Sequence, residues 1–317
     1  MSVVFESICR MSQEALKVYV SKQLLNTHEN VITGDGYVFA QGKFPVLLVA
    51  HLDTVHEKLP NEIIYNSHTK TYSSPNGIGG DDRCGVYMIL EIIKKYHCSV
   101  LFCEDEEVGG VGARKFTQTD LSQNLGFNYI IEFDRQGKQD AVFYWCDNKA
   151  FEEFITKDFY KTAHGTFSDI SILAPHLGCA AVNLSCGYYN AHTKGEYVIF
   201  SQMEKSINAA CAILERTEDK DIFEYVESDY GYGYGFDDYG GNYRTSYYSN
   251  SDSYYGREFY YMFEYQDTNG KTQWCDIIAK SDEEAIGKFC IENPDIPYNS
   301  VIGVDIYDEN YEPIEWR

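Results

Sequence analysis

The chain has 317 residues, of which 44% are hydrophobic, and it carries a formal net charge of −23. Such an excess of carboxylates repels phosphate backbones and anionic lipid surfaces, so we expect neither nucleic-acid nor membrane partners. There is no apolar run long enough to cross a bilayer, and ten cysteines without a CxxC pair indicate reduced thiols in a cytoplasmic protein.

Apolar runs alternate with amphipathic stretches in the first part of the chain, which is typical of an α/β domain. A helix is predicted over residues 11–26, followed by a hairpin around Gly34–Gly36. In sheets of this class, ligands gather at the carboxyl ends of the strands. Strands are predicted at 45–55, 99–105, 128–134 and 179–185, and helices at 83–96, 112–120, 149–159 and 201–217.

The composition divides the chain into three parts, of which residues 1–223 are the α/β domain. Residues 224–256 consist mainly of Tyr, Gly, Ser and Asp, and they hold too few aliphatic side chains to offset their ordering entropy. We therefore predict a low-complexity linker there. Residues 257–317 predict strand, strand, helix and strand, with the helix beginning at Ser281. We expect this small α+β module to bind a protein partner or to aid solubility.

Five residues of the metal-binding type follow one another along the domain. Taken singly, each has an ordinary explanation, such as a helix cap, a strand-end turn or a surface loop. Taken together, near the ends of predicted strands, they indicate one shared site. Imidazole and carboxylate ligands suit zinc, and cobalt or manganese fit similarly. The five are His51 in HLDTV, Asp81 in GIGGDDRCGV, Glu107 in EDEEVGGVGA, Asp134 in EFDRQG and His192 in NAHTKGEYV.

Two further acids are given roles beside these ligands. Asp53 lies two residues after His51 on the same side of an extended segment, so one of the two can bind metal while the other orients a ligand. The adjacent carboxylates of Glu106 and Glu107 repel each other at a strand end. The conflict is resolved if Glu107 binds metal while Glu106 moves protons, first as a general base and then as a general acid.

Asp81 follows the glycine-rich turn GIGG, and its two carboxylate oxygens can bridge two metal ions. Alternatively, Asp81 or Asp82 caps the helix that begins at Arg83. The two roles are compatible, because a cap would fix the geometry that a bridge needs.

Substrate-facing residues are less well defined by the sequence. His164 precedes a Gly/Ser/Asp turn that can approach the site, and His164, Tyr188 or Tyr189 is a possible donor to a tetrahedral oxyanion. Arg135, which follows Asp134, receives no role.

These motifs, in this order, resemble those of the co-catalytic zinc peptidases of the M28, M20 and M42 group, over residues 10–217. The resemblance implies a three-layer, phosphorylase/hydrolase-like α/β sandwich around a mixed central sheet. It also implies two zinc ions that share an attacking water, a cis peptide after the bridging Asp81, and Glu106 as the base. The ligands implied are Asp81 as the bridge, His51 with Asp134 on one ion, and Glu107 with His192 on the other, or the same set with the two carboxylates exchanged.

The spacing of the motifs departs from that of the larger relatives. M42 relatives insert a domain in the interval that corresponds to His51–Asp81, and many M20 relatives insert one in the interval that corresponds to Asp134–His192. Both intervals are too short for a domain here. We therefore expect a minimal, M28-like catalytic unit without a lid.

The resulting hypothesis is a cytoplasmic metallopeptidase that acts on a peptide or small amide. Acidic surroundings favour a substrate with a cationic amino terminus, so an aminopeptidase ranks first, and a dipeptidase or N-deacylase is the alternative on the same site. A non-catalytic binding protein that acts through the C-terminal module is the alternative of another class. The retained Glu106–Glu107 pair speaks against it.

Overall fold

In a computed structural model, the chain forms two compact units, Met1–Gly241 and Asn242–Arg317. The structure describes residues 2–165, 167–228, 259–267, 270–279 and 301–307. The helices of the first unit are α1 (Val3–Cys9), α2 (Gln13–Leu24), α3 (Gly80–Ile92), α4 (Val111–Thr117), α5 (Lys149–Thr156), α6 (Ile170–Leu177) and α7 (Phe200–Glu215). Its strands are β1 (Val31–Gly34), β2 (Tyr37–Ala40), β3 (Phe44–His51), β4 (Ile64–Asn66), β5 (Thr71–Ser73), β6 (Cys98–Cys103), β7 (Tyr129–Arg135), β8 (Asp140–Val142), β9 (Lys161–Ala163), β10 (Ala181–Ser185), β11 (Tyr188–Tyr189) and β12 (Tyr197–Ile199).

Eight of these strands form one mixed sheet in the order β1-β2-β6-β3-β7-β10-β8-β9. The four strands β6, β3, β7 and β10 run parallel to one another, so their carboxyl ends meet at one edge. Helices α3 and α7 pack together and contact this sheet, and α4 and α6 form a second packed pair that also contacts it. The predicted three-layer α/β sandwich with a mixed sheet is confirmed.

Strand β3, at the centre of the sheet, is apolar up to its last residue, His51. In β3, every residue from Val46 to Ala50 is fully buried. A continuous buried run of this kind is what a strand needs when helices cover both faces of its sheet. For this reason the strongest strand predictions fell on the strands that lead to the site.

The short elements were not predicted. Strands β11, β12, β5 and β4 form a second sheet in that order, and each has only two or three residues. Segments this short carry too little periodicity to be recognised. Helix α1 was missed for a similar reason, since it has only seven residues.

The second unit contains an antiparallel sheet of three described strands, in the order β14 (Thr272–Ala279), β13 (Phe259–Gln266) and β15 (Val301–Tyr307). The side chains of Tyr261, Phe263 and Ile277 are buried. The helix predicted from Ser281 lies outside the described residues, as does the linker beyond residue 228. The predicted domain boundaries therefore stay a prediction. Within the described ranges, no helix combines the length and apolarity that crossing a bilayer requires.

The central sheet yields a test of the core. Leu48 in β3 is fully buried, whereas Leu25 after α2 is 62% exposed. We expect Leu48→Ala to lower the free energy of unfolding by about 2–5 kcal/mol through lost burial and a residual cavity, and Leu25→Ala to change it by less than about 0.5 kcal/mol. Urea denaturation followed by circular dichroism measures both. Equal midpoints for the two variants would contradict this placement of the core.

Candidate metal centre

All five predicted ligands lie together at the carboxyl edge of the parallel strands. His51 is the last residue of β3, and Asp134 is the penultimate residue of β7. Glu107 lies in the loop that follows β6, and Asp81 lies at the start of α3. His192 arrives from the loop between β11 and β12. The sheet therefore gathers ligands that are far apart in sequence.

The ligands form two groups that share Asp81. On one side, His51 Nε2 lies 3.0 Å from Asp81 Oδ1 and 3.4 Å from Asp134 Oδ1. On the other side, His192 Nε2 lies 3.1 Å from Asp81 Oδ2 and 3.1 Å from Glu107 Oε1. In each group of three, the potential ligand atoms lie within 4.8 Å of one another. Asp81 thus presents one oxygen to each imidazole, as a bridging carboxylate does.

The donor set suits divalent cations. It combines imidazole nitrogen with carboxylate oxygen, the ligand types that zinc sites use. The buried Oε1 atom of Glu107 lies 3.1 Å from His192 Nε2 but makes no hydrogen bond of good geometry. Within the described part of the chain, no lysine or arginine forms an ion pair with Asp81, Glu107 or Asp134. Buried carboxylates need a countercharge, and cations at this position would supply it.

Asp81 and Asp82, in the first turn of α3, have different roles. Asp81 and Asp82 have non-helical backbone angles, and the peptide bond between them is cis. Asp82 Oδ1 accepts a hydrogen bond from the Gly85 N–H at 2.8 Å, and its Oδ2 accepts one from the His51 N–H at 3.3 Å. Asp82 therefore caps the helix, while Asp81 is left to face the two histidines.

Asp53 holds two sides of the site in place. Its Oδ1 accepts hydrogen bonds from His51 Nδ1–H and from the Glu106 N–H, and its Oδ2 accepts one from the Glu107 N–H, each at 3.0 Å. Burial would raise the pKa of Asp53, but the hydrogen bond and charge of His51 and the two amide donors outweigh it and lower that pKa. A proton on Nδ1 of His51 leaves Nε2 free to bind metal.

Glu106 is only 9% exposed. Desolvation by burial, reinforced by the charge of Asp134, raises the pKa of Glu106 well above its ordinary value. A raised pKa makes a carboxylate a stronger base, which suits a general base that later acts as an acid. The ligand atoms of His51, Glu106 and Glu107 form a third compact group, so Glu106 stands at the site itself.

The histidines and carboxylates shift one another's protonation. Hydrogen bonds to Asp81 and Glu107 raise the pKa of His192 to about 11. Burial alone would lower the pKa of His51 by disfavouring the charged imidazole. The carboxylates of Asp134, Asp53 and Asp81 outweigh this effect and raise that pKa well above 6.5. Burial, reinforced by the charge of Asp81, raises the pKa of Asp134 to about 7.

The candidate substrate-facing residues are mostly engaged elsewhere. Tyr188 donates a hydrogen bond to Asp134 Oδ1 at 3.4 Å, which places it beside the ligands. Tyr189 donates to Gln202, and His164 is exposed. The Nε atom of Arg135 lies 3.4 Å from Asp140 Oδ2, so this arginine pairs with an aspartate of β8.

Sequence analysis missed Glu196 and His56. Glu196 is almost completely buried behind Asp81, and His56 Nε2 lies 2.7 Å from its Oε2 atom. The only hint in the sequence is the position of Glu196 at the end of the HTKGE loop. An acid in a polar loop is ordinarily solvated, and so it received no role.

Comparisons with known proteins support the fold. No protein-family model and no curated protein matches the sequence. Among solved structures, aminopeptidase PepT from Bacillus cereus is 14% identical with a TM-score of 0.56, and the match covers 67% of this chain and 96% of that one. A tripeptidase from Staphylococcus aureus is 11% identical with a TM-score of 0.54, covering 67% and 96%. An aminopeptidase from Desulfurococcus kamchatkensis is 14% identical with a TM-score of 0.55, covering 69% and 95%.

The chain has the fold of these peptidases. The fold that the motif resemblance implied is thereby confirmed. The intervals between the ligands hold short elements: β4 and β5 lie between His51 and Asp81, and β8, α5, β9, α6, β10 and β11 lie between Asp134 and His192. Among the residues that the structure describes, neither interval contains a separate domain, which agrees with the motif spacing.

The raised histidine pKa values give a test of metal binding. The pKa of His192 is raised to about 11, so its imidazole carries a proton at pH 7 when it contacts carboxylates alone, and the pKa of His51 is raised as well. A metal ion binds only the neutral imidazole. We therefore expect binding of zinc or cobalt to release about one proton or more at pH 7. Calorimetry in buffers of different ionisation enthalpy measures this number, and zero net release would contradict the ligand set.

Proposed function

We propose that this chain is a metallopeptidase, an aminopeptidase with two zinc ions held on a shared aspartate. The observation that carries the proposal is Asp81, which presents one oxygen to the His51–Asp134 side and the other to the His192–Glu107 side. When bound, two such ions lower the pKa of a water molecule and polarise the substrate carbonyl. Cobalt or manganese suits the same ligands.

In this proposal the protein supplies proton transfer and orientation. Glu106 takes a proton from the attacking water and delivers it to the leaving amine, for which its raised pKa suits it. Asp53 keeps His51 oriented and holds the backbone of Glu106 and Glu107 in place. We assign proton transfer to Glu106 alone, because Glu107 faces His192.

The substrate class follows from charge. The described site contains the buried or half-buried acids Asp81, Asp82, Glu106, Glu107 and Asp134. Two divalent cations would neutralise only part of that charge. A free, protonated amino terminus is therefore favoured over an acylated one. An N-deacylase or dipeptidase on the same site is the alternative, and a cytoplasmic location, inferred from the cysteine content, is part of the proposal.

A substrate panel tests this class directly. After loading with zinc or cobalt, the protein is expected to hydrolyse aminoacyl-p-nitroanilides and small peptides with free amino termini. The same peptides acetylated at the amino terminus should react at least about tenfold more slowly, because they lack the cationic group that the acids attract. Faster hydrolysis of the acetylated series would favour the deacylase. Absence of bound metal, with no activity restored by either ion, would overturn the enzyme assignment.

Glu106→Gln separates proton transfer from metal binding. The amide cannot take up a proton, so we expect kcat to fall by about 10²–10⁴-fold while the metal content remains that of the wild type. Elemental analysis and steady-state kinetics measure the two quantities. Glu152→Gln is the matched control, because Glu152 lies on α5 and binds Thr162 and Lys149 at the surface. Turnover that is unchanged in Glu106→Gln would refute the assigned base.

A further inference from the structure

Glu196 is buried at the point where three ligand-bearing loops meet. Its side chain is fully inaccessible, and both carboxylate oxygens accept hydrogen bonds. Oε2 accepts from the Gly79 N–H at 2.8 Å, and Oε1 accepts from the Asp81 N–H at 3.0 Å. The third partner is His56, whose Nε2 lies 2.7 Å from Oε2. Both oxygens therefore have a hydrogen-bond donor, and among the described residues no lysine or arginine forms an ion pair with Glu196.

Each partner belongs to a different loop of the site. His56 lies five residues after His51, Gly79 lies in the turn that ends at Asp81, and Glu196 follows His192 in its own loop. One carboxylate thus joins the loops that carry both imidazoles and the shared aspartate. The backbone geometry of the turn is adapted to this contact, because Gly79 has a φ of 67°, which a side chain disfavours.

The His56 imidazole packs closely against the glycine-rich turn that precedes Asp81. A Cβ atom on Gly77 would lie 2.2 Å from Cε1 of the His56 ring, so the imidazole rests directly against the glycine-rich turn. The His56 side chain is about one-tenth exposed. Because His56 lies between Gly77 and Glu196, it connects the loop after β3 to the Glu196 carboxyl group.

Glu196 does not belong to the ligand set itself. Among the described residues, the three groups with metal-ligand geometry contain His51, Asp81, Glu106, Glu107, Asp134 and His192, and none contains Glu196. Its oxygens already accept from backbone and imidazole donors. Its contact with the Asp81 N–H, and its place in the loop of His192, let it act through those two candidate ligands.

We propose that Glu196, supported by His56, is a positioning residue that sets the separation of Asp81 and His192 and thereby the affinity for the cation that they share with Glu107. This inference rests on the proposed function, since it requires the site to bind metal. Partners that orient metal ligands are typically worth about 10–100-fold in metal affinity.

Glu196→Gln is the direct test. A glutamine keeps the volume but has one acceptor oxygen, so its amide N–H₂ must face either the Asp81 N–H or the Gly79 N–H and His56. The Asp81 turn then shifts away from the His192 loop. We expect at least one of the two cobalt dissociation constants to rise about 10–100-fold, with an altered visible absorption spectrum of the cobalt-loaded protein. Glu152→Gln should leave both constants and the spectrum unchanged.

Two His56 variants supply an independent arm. His56→Leu removes the donor to Glu196 and should weaken cobalt binding by a smaller factor, up to about tenfold. His56→Gln retains an N–H donor and should restore most of the loss. A merely structural role for His56 would move the thermal midpoint of the metal-free protein without this pattern of loss and rescue. If Glu196→Gln does not fold, the His56 pair decides the matter.

The outcomes separate this inference from the proposed function. Wild-type protein that binds no cobalt overturns both. Wild-type binding of cobalt, combined with unchanged constants and spectra in Glu196→Gln or in His56→Leu, overturns the positioning role alone. Weakened binding in these variants, with the Glu152→Gln control unchanged, supports it.

Discussion

Unbalanced negative charge is the constraint on which the rest of this site depends. Several carboxylates are brought to one edge of the sheet, where burial removes much of the water that would solvate them. Their repulsion is relieved locally, by histidines, by backbone N–H groups and by protons retained at raised pKa. Divalent cations would replace those protons. The arrangement is therefore chemically suited to ions before any substrate is considered.

The supporting shell shows how such a site keeps its shape. Asp53 and Glu196 each accept hydrogen bonds from backbone amides and from one imidazole. Asp53 binds the loop of Glu106 and Glu107, whereas Glu196 binds the backbone of Gly79 and Asp81 at the start of α3. The candidate ligands therefore depend on these two carboxyl groups, which stabilise loops that lack a regular hydrogen-bond ladder of their own.

The sequence indicates the candidate ligands because the patterns that mark them are local. His51 and Asp134 follow long apolar runs, and such runs identify buried strands whose carboxyl ends share an edge. The contacts of Glu196 could not be predicted from the sequence, because His56 and Glu196 are 140 residues apart and no local pattern marks such a pairing. Strands of two or three residues, such as β11, escaped for a related reason: their pairing is set by tertiary packing, not by periodicity.

The topology of the ligands has a consequence for how the protein matures. Asp81 and His192 are separated by 111 residues, and His192 is delivered by strands that follow the last parallel strand of the sheet. Loops of this length close late, because non-local contacts form only after their entropy cost has been met. A nascent or truncated chain that stops before residue 192 lacks one of the five candidate ligands. Metal capture would thus report a finished domain, and a bound ion would add its own binding free energy to the native state alone.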